Sequence, residues 1–271
     1  MQTLAEIKAL LEARGLSPRH QFGQNFLTDH NLIRKLVDAA NLSPGDTVLE
    51  IGPGTGTMTE ELLHRGVCVV AAEIDRGLAA LLRERFATET HFSLVEGDCL
   101  ASKHELAPAL LAALGSGPFK LVSNLPYAAA TPVMLALLAD TPACRGQFVT
   151  IQLEVAQRLA AAPGSKDFGT ISVIAQAVSS VKIIAKLPGE CFWPRPDVTS
   201  AMVSLTPLET PLTAQPRKLA DFVQTLFEKR RKQLGAVLGR DKPWPAGISP
   251  TDRAEALSIR QLIELCEAFQ P

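Results

Sequence analysis

Residues 47–56 read T-V-L-E-I-G-P-G-T-G, a short apolar run that ends in a glycine-rich turn. The β-branched and apolar side chains of 47–51 are typical of a buried strand. Glycines at 52, 54 and 56 allow a tight turn and a close approach to a ligand, at the start of a helix expected from about Thr57 to Arg65. Strand, glycine turn and helix in this order predict the first unit of an α/β fold.

The same alternation of strand and helix continues as far as residue 154. Further strand-like runs lie at 67–73, 92–98, 119–124 and 148–154, and helical patterns lie at 76–86, at 104–114 and after Pro132. Continuous apolar strands separated by helices indicate a parallel sheet with helices on both faces. Two later β-like runs, 181–187 and 199–206, are expected to complete this sheet.

The pattern changes at Pro207. A proline-rich loop follows, and helical patterns then occupy 217–238, 250–256 and 258–269. We therefore expect an α/β domain over 1–207 and a small C-terminal helical domain over 208–271. The first domain should begin with a helical extension, because Thr3 and Glu6 have the spacing of a capping box.

Composition limits the classes of function. The 271 residues carry a net charge of −1, so a polyanionic partner would have to be met by local charge. Five cysteines and five histidines are scattered without the spacing of a metal site, so we predict reduced thiols and no metal. No apolar segment of roughly 18 residues occurs, and the start lacks a signal-like core. We therefore expect a cytoplasmic protein with no membrane partner, and by default a monomer.

Three successive predicted strands end in residues that could bind a nucleoside. The first ends in the glycine turn, the second in Glu73 and the third in Gly97-Asp98. A carboxylate at Glu73 could accept both ribose hydroxyls, and one at Asp98 could accept an adenine amino group. The dinucleotide fingerprint requires glycine at 57, where this chain has Thr57, so the spacing favours S-adenosylmethionine (SAM) over NAD. Each feature alone also occurs as an ordinary turn or helix cap. The prediction rests on their occurrence at the ends of three successive strands.

Residues 123–127 read S-N-L-P-Y, and Tyr127 is the only tyrosine in the chain. The exocyclic amine of a purine is a poor nucleophile because its lone pair is delocalised into the ring. The Asn124 amide oxygen and the Leu125 carbonyl could accept its two hydrogens, which would favour a pyramidal nitrogen facing a methyl donor. Tyr127 could stack on an extruded base. The alternative is an ordinary β-turn with an aromatic lid.

Phe192 is a second candidate for stacking on the base. It lies in C-F-W-P-R-P at 191–196, where prolines would hold an aromatic pair in place. The alternative is a simple core residue.

A basic run at Lys229, Arg230, Arg231 and Lys232 is the candidate RNA-binding segment. Residues 217–242 contain eight basic and three acidic side chains, a net charge of +5. Such a patch suits phosphate contacts, although most charge runs are solvated helix faces.

With these motifs in order, the chain resembles the ribosomal RNA small-subunit adenine N6-dimethyltransferase family. The resemblance covers nearly the whole chain and includes G-Q-N-F-L (23–27), E-I-G-P-G-T-G-T-M-T (50–59), E-G-D (96–98), S-N-L-P-Y (123–127), the segments 72–82, 131–132, 153–173 and 192–200, and F-E-K-R-R-K-Q-L (227–234). The chain departs from the family pattern at 19–21, at 128–130 and at 235–237, where its residues are less polar or less basic.

The resemblance implies a Rossmann-like SAM-dependent methyltransferase. Its implied activity is dimethylation of two adjacent adenosines near the 3′ end of 16S rRNA, within the small ribosomal subunit and linked to ribosome maturation, with no DNA partner. Implied cofactor contacts are Asn25, Leu27, Gly52, Glu73, Asp98 and Asn124, to which the glycine turn adds Gly54 and Gly56. The resemblance also implies that Asn124, Leu125 and Tyr127 hold the adenine, with Phe192 across from Tyr127.

Three other functions remain open at this stage. One is the related methylase of large-subunit rRNA that confers macrolide resistance, and a second is a DNA adenine methylase. The latter is disfavoured because 208–271 offers little room for a target-recognition region. The third is a non-catalytic ribosome assembly factor that retains the fold.

Overall fold

The computed structural model describes residues 1–19, 22–102 and 105–269. Its strands are β1 (Phe26–Leu27), β2 (Thr47–Ile51), β3 (Cys68–Glu73), β4 (Phe92–Glu96), β5 (Leu100–Ser102), β6 (Glu105–Leu106), β7 (Phe119–Asn124), β8 (Cys144–Gln152), β9 (Ser179–Leu187), β10 (Phe192–Trp193) and β11 (Ser200–Pro207). Its helices are α1 (Leu4–Glu12), α2 (His30–Ala39), α3 (Thr57–His64), α4 (Arg76–Arg85), α5 (Pro108–Leu114), α6 (Tyr127–Asp140), α7 (Leu153–Leu159), α8 (Thr170–Val178), α9 (Pro216–Glu228), α10 (Leu234–Leu238) and α11 (Ile259–Phe269).

A seven-stranded sheet in the order β4-β3-β2-β7-β8-β11-β9 forms the centre of the molecule. Within this sheet the neighbouring strands β4, β3, β2, β7 and β8 are parallel, whereas β11 runs antiparallel to both β8 and β9. The α/β prediction is confirmed, and the sheet is mixed rather than wholly parallel. Parallel pairing brings the carboxyl ends of β2, β3, β4 and β7 to one edge.

Both faces of the sheet are covered by helices. One core contains Leu121 of β7 together with apolar side chains of α5 and α6, such as Leu110 and Val133. The opposite core contains Val122, and it includes Ile33 of α2 and Leu62 of α3. Because neighbouring residues of a strand point to opposite faces, the continuous apolar runs of the sequence supply both cores.

The N-terminal helix begins as its sequence predicts. Thr3 is the N-cap of α1, and its hydroxyl and the Glu6 side chain form the reciprocal bonds of a capping box. The side chains of Ile7 and Leu11 pack with Phe26 and Leu78 in a small separate core. α1 is therefore held against β1 and α4, near the carboxyl edge of the sheet.

Two of the helices that alternate with the strands of the sheet have other boundaries than predicted. The helix expected over 104–114 begins at Pro108, because β5 and β6 form a short antiparallel pair first; Lys103 and His104 lie outside the described residues. The helix expected after Pro132 begins at Tyr127 instead. The Pro126 carbonyl accepts hydrogen bonds from Ala129 and Ala130, so the helix starts directly after the strand.

The C-terminal helices share a hydrophobic core with α8. Phe222 and Leu226 of α9 pack with Ile174 of α8 and with Leu262 of α11. The helix expected over 217–238 is interrupted after Glu228, because Leu234 and Gly235 donate hydrogen bonds to the carbonyls of Asp252 and Pro250. Throughout the described ranges, every helix is too short or too polar to cross a bilayer.

Candidate active site

A cavity of about 280 Å³ opens at the carboxyl edge of the parallel strands. Its lining comes mainly from residues 22–27 and from the chain that follows β2, β3, β4 and β7. Among the residues singled out in the sequence, the cavity brings together Asn25, Leu27, Gly52, Gly54, Glu73, Asp98, Asn124, Leu125 and Tyr127. Gly56 and Phe192 are not part of its lining.

The glycine turn packs tightly against two neighbouring segments. Gly52 and Gly54 have φ angles of +68° and +63°, which side chains rarely adopt. A Cβ atom at Gly52 would lie 2.9 Å from Pro126 Cγ, and one at Gly54 would lie 2.8 Å from Phe26 Cε1. The turn is therefore in direct contact with the Asn-Leu-Pro-Tyr segment and with β1.

Replacing Gly52 with alanine is expected to destabilise the protein by about 2–4 kcal/mol, combining roughly 1–2 kcal/mol of backbone strain with a clash against Pro126. Gly15→Ala is the matched control, since Gly15 has a φ of +61° and nothing within 4 Å of its added Cβ. Denaturant unfolding of both variants isolates the contact with Pro126. Equal losses in the two variants would contradict this close packing.

Glu73 presents a buried carboxylate to the cavity. It is 3% exposed, and its oxygens accept hydrogen bonds from the backbone of Gly54 at 3.2 Å and of Asp75 at 2.9 Å. Burial raises the pKa of Glu73 to about 7, although the backbone hydrogen bonds oppose the shift. Each oxygen accepts one of these backbone hydrogen bonds, and a carboxylate oxygen can accept more than one.

A second acid, Glu50, lies beneath the glycine turn. It is 2% exposed, it lines the cavity, and one of its oxygens accepts a hydrogen bond from the Thr59 hydroxyl at 2.6 Å. Burial raises the pKa of Glu50 to about 8, and the nearby charge of Glu73 adds to this rise.

The raised pKa values of Glu50 and Glu73 predict a pH-dependent stability. In the unfolded chain both carboxyls lose their protons near pH 4.5. In the folded protein Glu50 keeps its proton to about pH 8, and Glu73 keeps its proton to about pH 7. The free energy of unfolding should therefore fall as pH rises through this window, by at most about 1.4 kcal/mol per pH unit for each carboxyl. Glu50→Gln should reduce the slope, proportionally most between about pH 7 and about pH 8 where Glu50 contributes most of it, as measured by urea unfolding at several pH values. Substitution of the exposed Glu89 by glutamine should keep the wild-type slope, and an unchanged slope in Glu50→Gln would contradict the prediction.

Asp98 lies at the mouth of the cavity. Its side chain is exposed, and its Oδ1 accepts a hydrogen bond from the backbone of Leu100 at 2.9 Å. The backbone N–H of Gly97 donates to the Glu73 carbonyl at 2.9 Å, which ties the ends of β3 and β4 together. Asp98 is thus held at the rim by a local turn, and its exposed carboxylate can accept a hydrogen bond from a ligand.

Asn124 is oriented by its own amide. Its Nδ2 donates to the backbone carbonyl of Asn25 at 2.8 Å, and because a carbonyl can only accept, the amide oxygen must point the other way. Within the described residues, no hydrogen bond is made to Asn124 Oδ1 or to the Leu125 carbonyl. The end of β7 therefore presents two free acceptors on consecutive residues that line the cavity.

Tyr127 lies next to these acceptors as the first residue of α6. It is half-buried, it lines the cavity, and its hydroxyl lies 2.7 Å from Ser200 Oγ. Burial raises the pKa of Tyr127, while the hydrogen bond with Ser200 lowers it. The ring is thus anchored at both ends, by the helix start and by β11.

Phe192 and Gly56 lie elsewhere. Phe192 is 4% exposed and pairs with Leu27 across β1 and β10, where it joins the core of α2 and α3. Phe192 is therefore a core residue that does not line the cavity, and its stacking opposite Tyr127 stays a prediction. A Cβ atom at Gly56 would lie 2.6 Å from Phe86 Cε2, so this glycine faces α4 rather than the cavity.

The basic run forms the turn between α9 and α10. Lys229, Arg231 and Lys232 are exposed. Arg230 instead contacts Glu255 and donates to the backbone carbonyls of Lys166 at 2.5 Å and Ser165 at 3.0 Å. The structure therefore separates the run into three exposed cations and one arginine that joins the C-terminal helices to the 160–169 loop.

Two contributions to the site were missed in the sequence. Ile74, 44% exposed, lines the cavity directly after Glu73, and an apolar residue following a strand-end acid was a visible signal. Gln2 is buried, and its side-chain oxygen accepts hydrogen bonds from the hydroxyls of Thr55 and Thr57 at 2.7 Å each. Gln2 lies 53 residues before Thr55 in the sequence, and no local motif indicates that the two side chains meet. In the described part of the chain, no three His, Cys, Asp or Glu side chains converge as a metal site would require.

Comparisons with known proteins show the family to which the chain belongs. The family described as ribosomal RNA adenine dimethylase matches residues 15–270. The chain is 40% identical to a protein of Magnetococcus marinus named ribosomal RNA small subunit methyltransferase A, over 100% of this chain and 99% of that protein. A dimethyladenosine transferase structure from Plasmodium falciparum is similar with a TM-score of 0.71 at 21% identity, covering 89% of this chain and 95% of that one. A structure of the 23S rRNA methyltransferase ErmE has a TM-score of 0.62 at 25% identity, covering 91% of this chain and 100% of that one. The chain belongs to the ribosomal RNA adenine dimethylase family.

Proposed function

We propose that this chain transfers methyl groups from SAM to the N6 amines of two adjacent adenosines near the 3′ end of 16S rRNA, within the small ribosomal subunit. The observation that carries the proposal is the pair of free acceptors, Asn124 Oδ1 and the Leu125 carbonyl, beside the ring of Tyr127. An amine with two hydrogens matches two adjacent acceptors, and a flat base matches an aromatic ring. The relative named small subunit methyltransferase A supports the choice of substrate.

The cavity fits SAM as a cofactor. Its volume of about 280 Å³ is near the lower end of small-ligand cavities, roughly 300 Å³. The buried Glu73 carboxylate is a hydrogen-bond acceptor for the ribose hydroxyls, Ile74 offers an apolar surface to a base, and Asp98 can accept from an exocyclic amine. The other residues that we propose to contact it are Asn25, Leu27, Gly52, Gly54 and Asn124. When bound, SAM supplies an electrophilic methyl group on a positively charged sulfur.

The residues around Asn124 prepare the amine for transfer. Asn124 Oδ1 and the Leu125 carbonyl hold its hydrogens and withdraw its lone pair from the purine ring. As the new N–C bond forms, the nitrogen gains positive charge, and the two oxygens stabilise it more strongly than in the ground state. Solvent takes the released proton, because neither an amide nor a backbone carbonyl is a useful base at neutral pH. Tyr127 holds the base plane in line for the transfer.

We propose that the C-terminal segment contributes the RNA contacts. Lys229, Arg231 and Lys232 are exposed on one turn and are free to approach phosphates, whereas Arg230 holds that turn against the 160–169 loop. Contacts of this kind would be salt-dependent and independent of sequence. In this proposal residues 1–207 carry the chemistry and residues 208–271 carry RNA binding, and the protein acts as a cytoplasmic monomer.

The test supplies labelled SAM with undermethylated small subunits, large subunits and naked rRNA in parallel, and then maps the modified base. We expect label only in small subunits, as N6,N6-dimethyladenosine near the 3′ end of 16S rRNA. Label in large-subunit RNA would instead indicate the activity that the name of ErmE states, methylation of 23S rRNA. Absence of label with intact subunit binding would leave a non-catalytic assembly factor.

A further inference from the structure

Ser200 contacts the proposed base platform from a distant part of the chain. Its Oγ lies 2.7 Å from the Tyr127 hydroxyl, and its side chain is 0% exposed. It is the first residue of β11, where it pairs with Gln152 on one side and Leu187 on the other. The serine is therefore fixed by a strand that has neighbours on both edges, whereas Tyr127 lies at the start of a helix that borders the cavity.

We propose that Ser200 is a positioning residue that holds the Tyr127 ring at the cavity before the target adenine arrives. The inference rests on the proposed function, because it assigns a role to the ring on which the base stacks. Stacking requires the ring in a defined place, so a ring that swung between side-chain rotamers would be productive for only part of the time.

The contact with Ser200 restrains such swinging. Across the described residues, the Tyr127 hydroxyl is the hydrogen-bond partner of the Ser200 side chain, and a change of the Tyr127 rotamer about Cα–Cβ would leave the fully buried Ser200 hydroxyl unpaired. Tyr127 thus contributes its ring face to the substrate, and its hydroxyl holds that face in place. A phenylalanine at 127 would keep the ring and lose the anchor.

The functional test is a double-mutant cycle with Ser200→Ala, Tyr127→Phe and their combination. Each single variant should lower kcat by about 10-fold while changing the affinity for SAM by less than about 2-fold, because the ring is misplaced and not removed. The double variant should be no slower than either single one. Ser200→Thr, which keeps the hydroxyl, should recover most of the rate. Additive losses of about 100-fold in the double variant would overturn the proposal.

A spectroscopic test reads the contact without any substrate. Since Tyr127 is the only tyrosine, protein labelled with carbon-13 at tyrosine Cζ gives one NMR signal that reports the hydrogen bonding of its hydroxyl. Ser200→Ala should shift this signal, whereas Ser204→Ala, a buried serine four residues further along β11, should not. An unchanged signal in Ser200→Ala would overturn the proposal. If that variant does not fold, the rate of Tyr127→Phe in the functional test reports the loss of the same bond from the other side.

The two proposals can fail separately. Wild-type protein that methylates no rRNA would overturn the proposed function, whatever the NMR signal shows. Active wild-type protein with equally active Ser200→Ala and Tyr127→Phe variants would overturn only the positioning role.

Discussion

Replacing Asn124 with alanine is expected to lower the rate of methyl transfer by about 10²–10³-fold, the loss seen when one preorganised hydrogen-bonding group is removed from an active site. The amide is held in place before substrate binds, because its Nδ2 donates to the Asn25 carbonyl at 2.8 Å. Without it, the amine keeps only the Leu125 carbonyl as an acceptor. The rate is measured in single turnovers with undermethylated small subunits and saturating labelled SAM.

Two controls separate chemistry from folding in the Asn124→Ala variant. Asn31→Ala, which changes an exposed asparagine of α2, should retain the wild-type rate. Denaturant unfolding of Asn124→Ala should show a loss of only about 1 kcal/mol, the usual worth of one hydrogen bond. A variant that folds, binds SAM and methylates within about 2-fold of the wild-type rate would refute the role assigned to Asn124 and would favour the assembly factor.

The fold was predictable where the hydrophobic pattern of a segment by itself determines its secondary structure. The apolar run at 47–51, the glycine turn and the following helix stand where the sequence predicts them. The errors arose where long-range bonds set the boundary. Leu125 donates to the Thr150 carbonyl, and α6 begins two residues later, four residues before the Thr-Pro pair that was expected to mark its start.

The same distinction applies to the site. Glu73, Asp98 and Asn124 could be placed at one edge because parallel strands bring their carboxyl ends together. The surroundings of Phe192 depend on its pairing with Leu27, which is remote in sequence. Arg230 looked like part of a uniform basic run, and only its contacts with Glu255 and the 160–169 loop set it apart. Composition and spacing do not encode such partners.

Replacing Glu73 with alanine is expected to weaken SAM binding by about 2–3 kcal/mol, or about 30- to 150-fold, because both ribose hydroxyls would lose their acceptor in a buried site. Glu73→Gln should lie between wild type and alanine, since its amide oxygen can still accept one of them. Isothermal titration calorimetry measures the three affinities. Glu96→Gln is the matched control: this residue pairs with Glu73 in the neighbouring strand, and its side chain lies outside the cavity, near Arg76 and Arg83.

The pH dependence of SAM binding tests the Glu73 carboxylate in the wild-type protein, without removing the side chain. Burial raises the pKa of Glu73 to about 7, and only the ionised form can accept both hydroxyls. Affinity in the wild type should therefore rise as pH increases through about 7 and then level off, because deprotonation no longer has to precede binding. Glu73→Gln has no proton to lose at this position, so its affinity should lack that rise. A rise of equal size in both proteins would assign the titration to another group, and an unchanged affinity in Glu73→Ala would remove Glu73 from the cofactor site altogether.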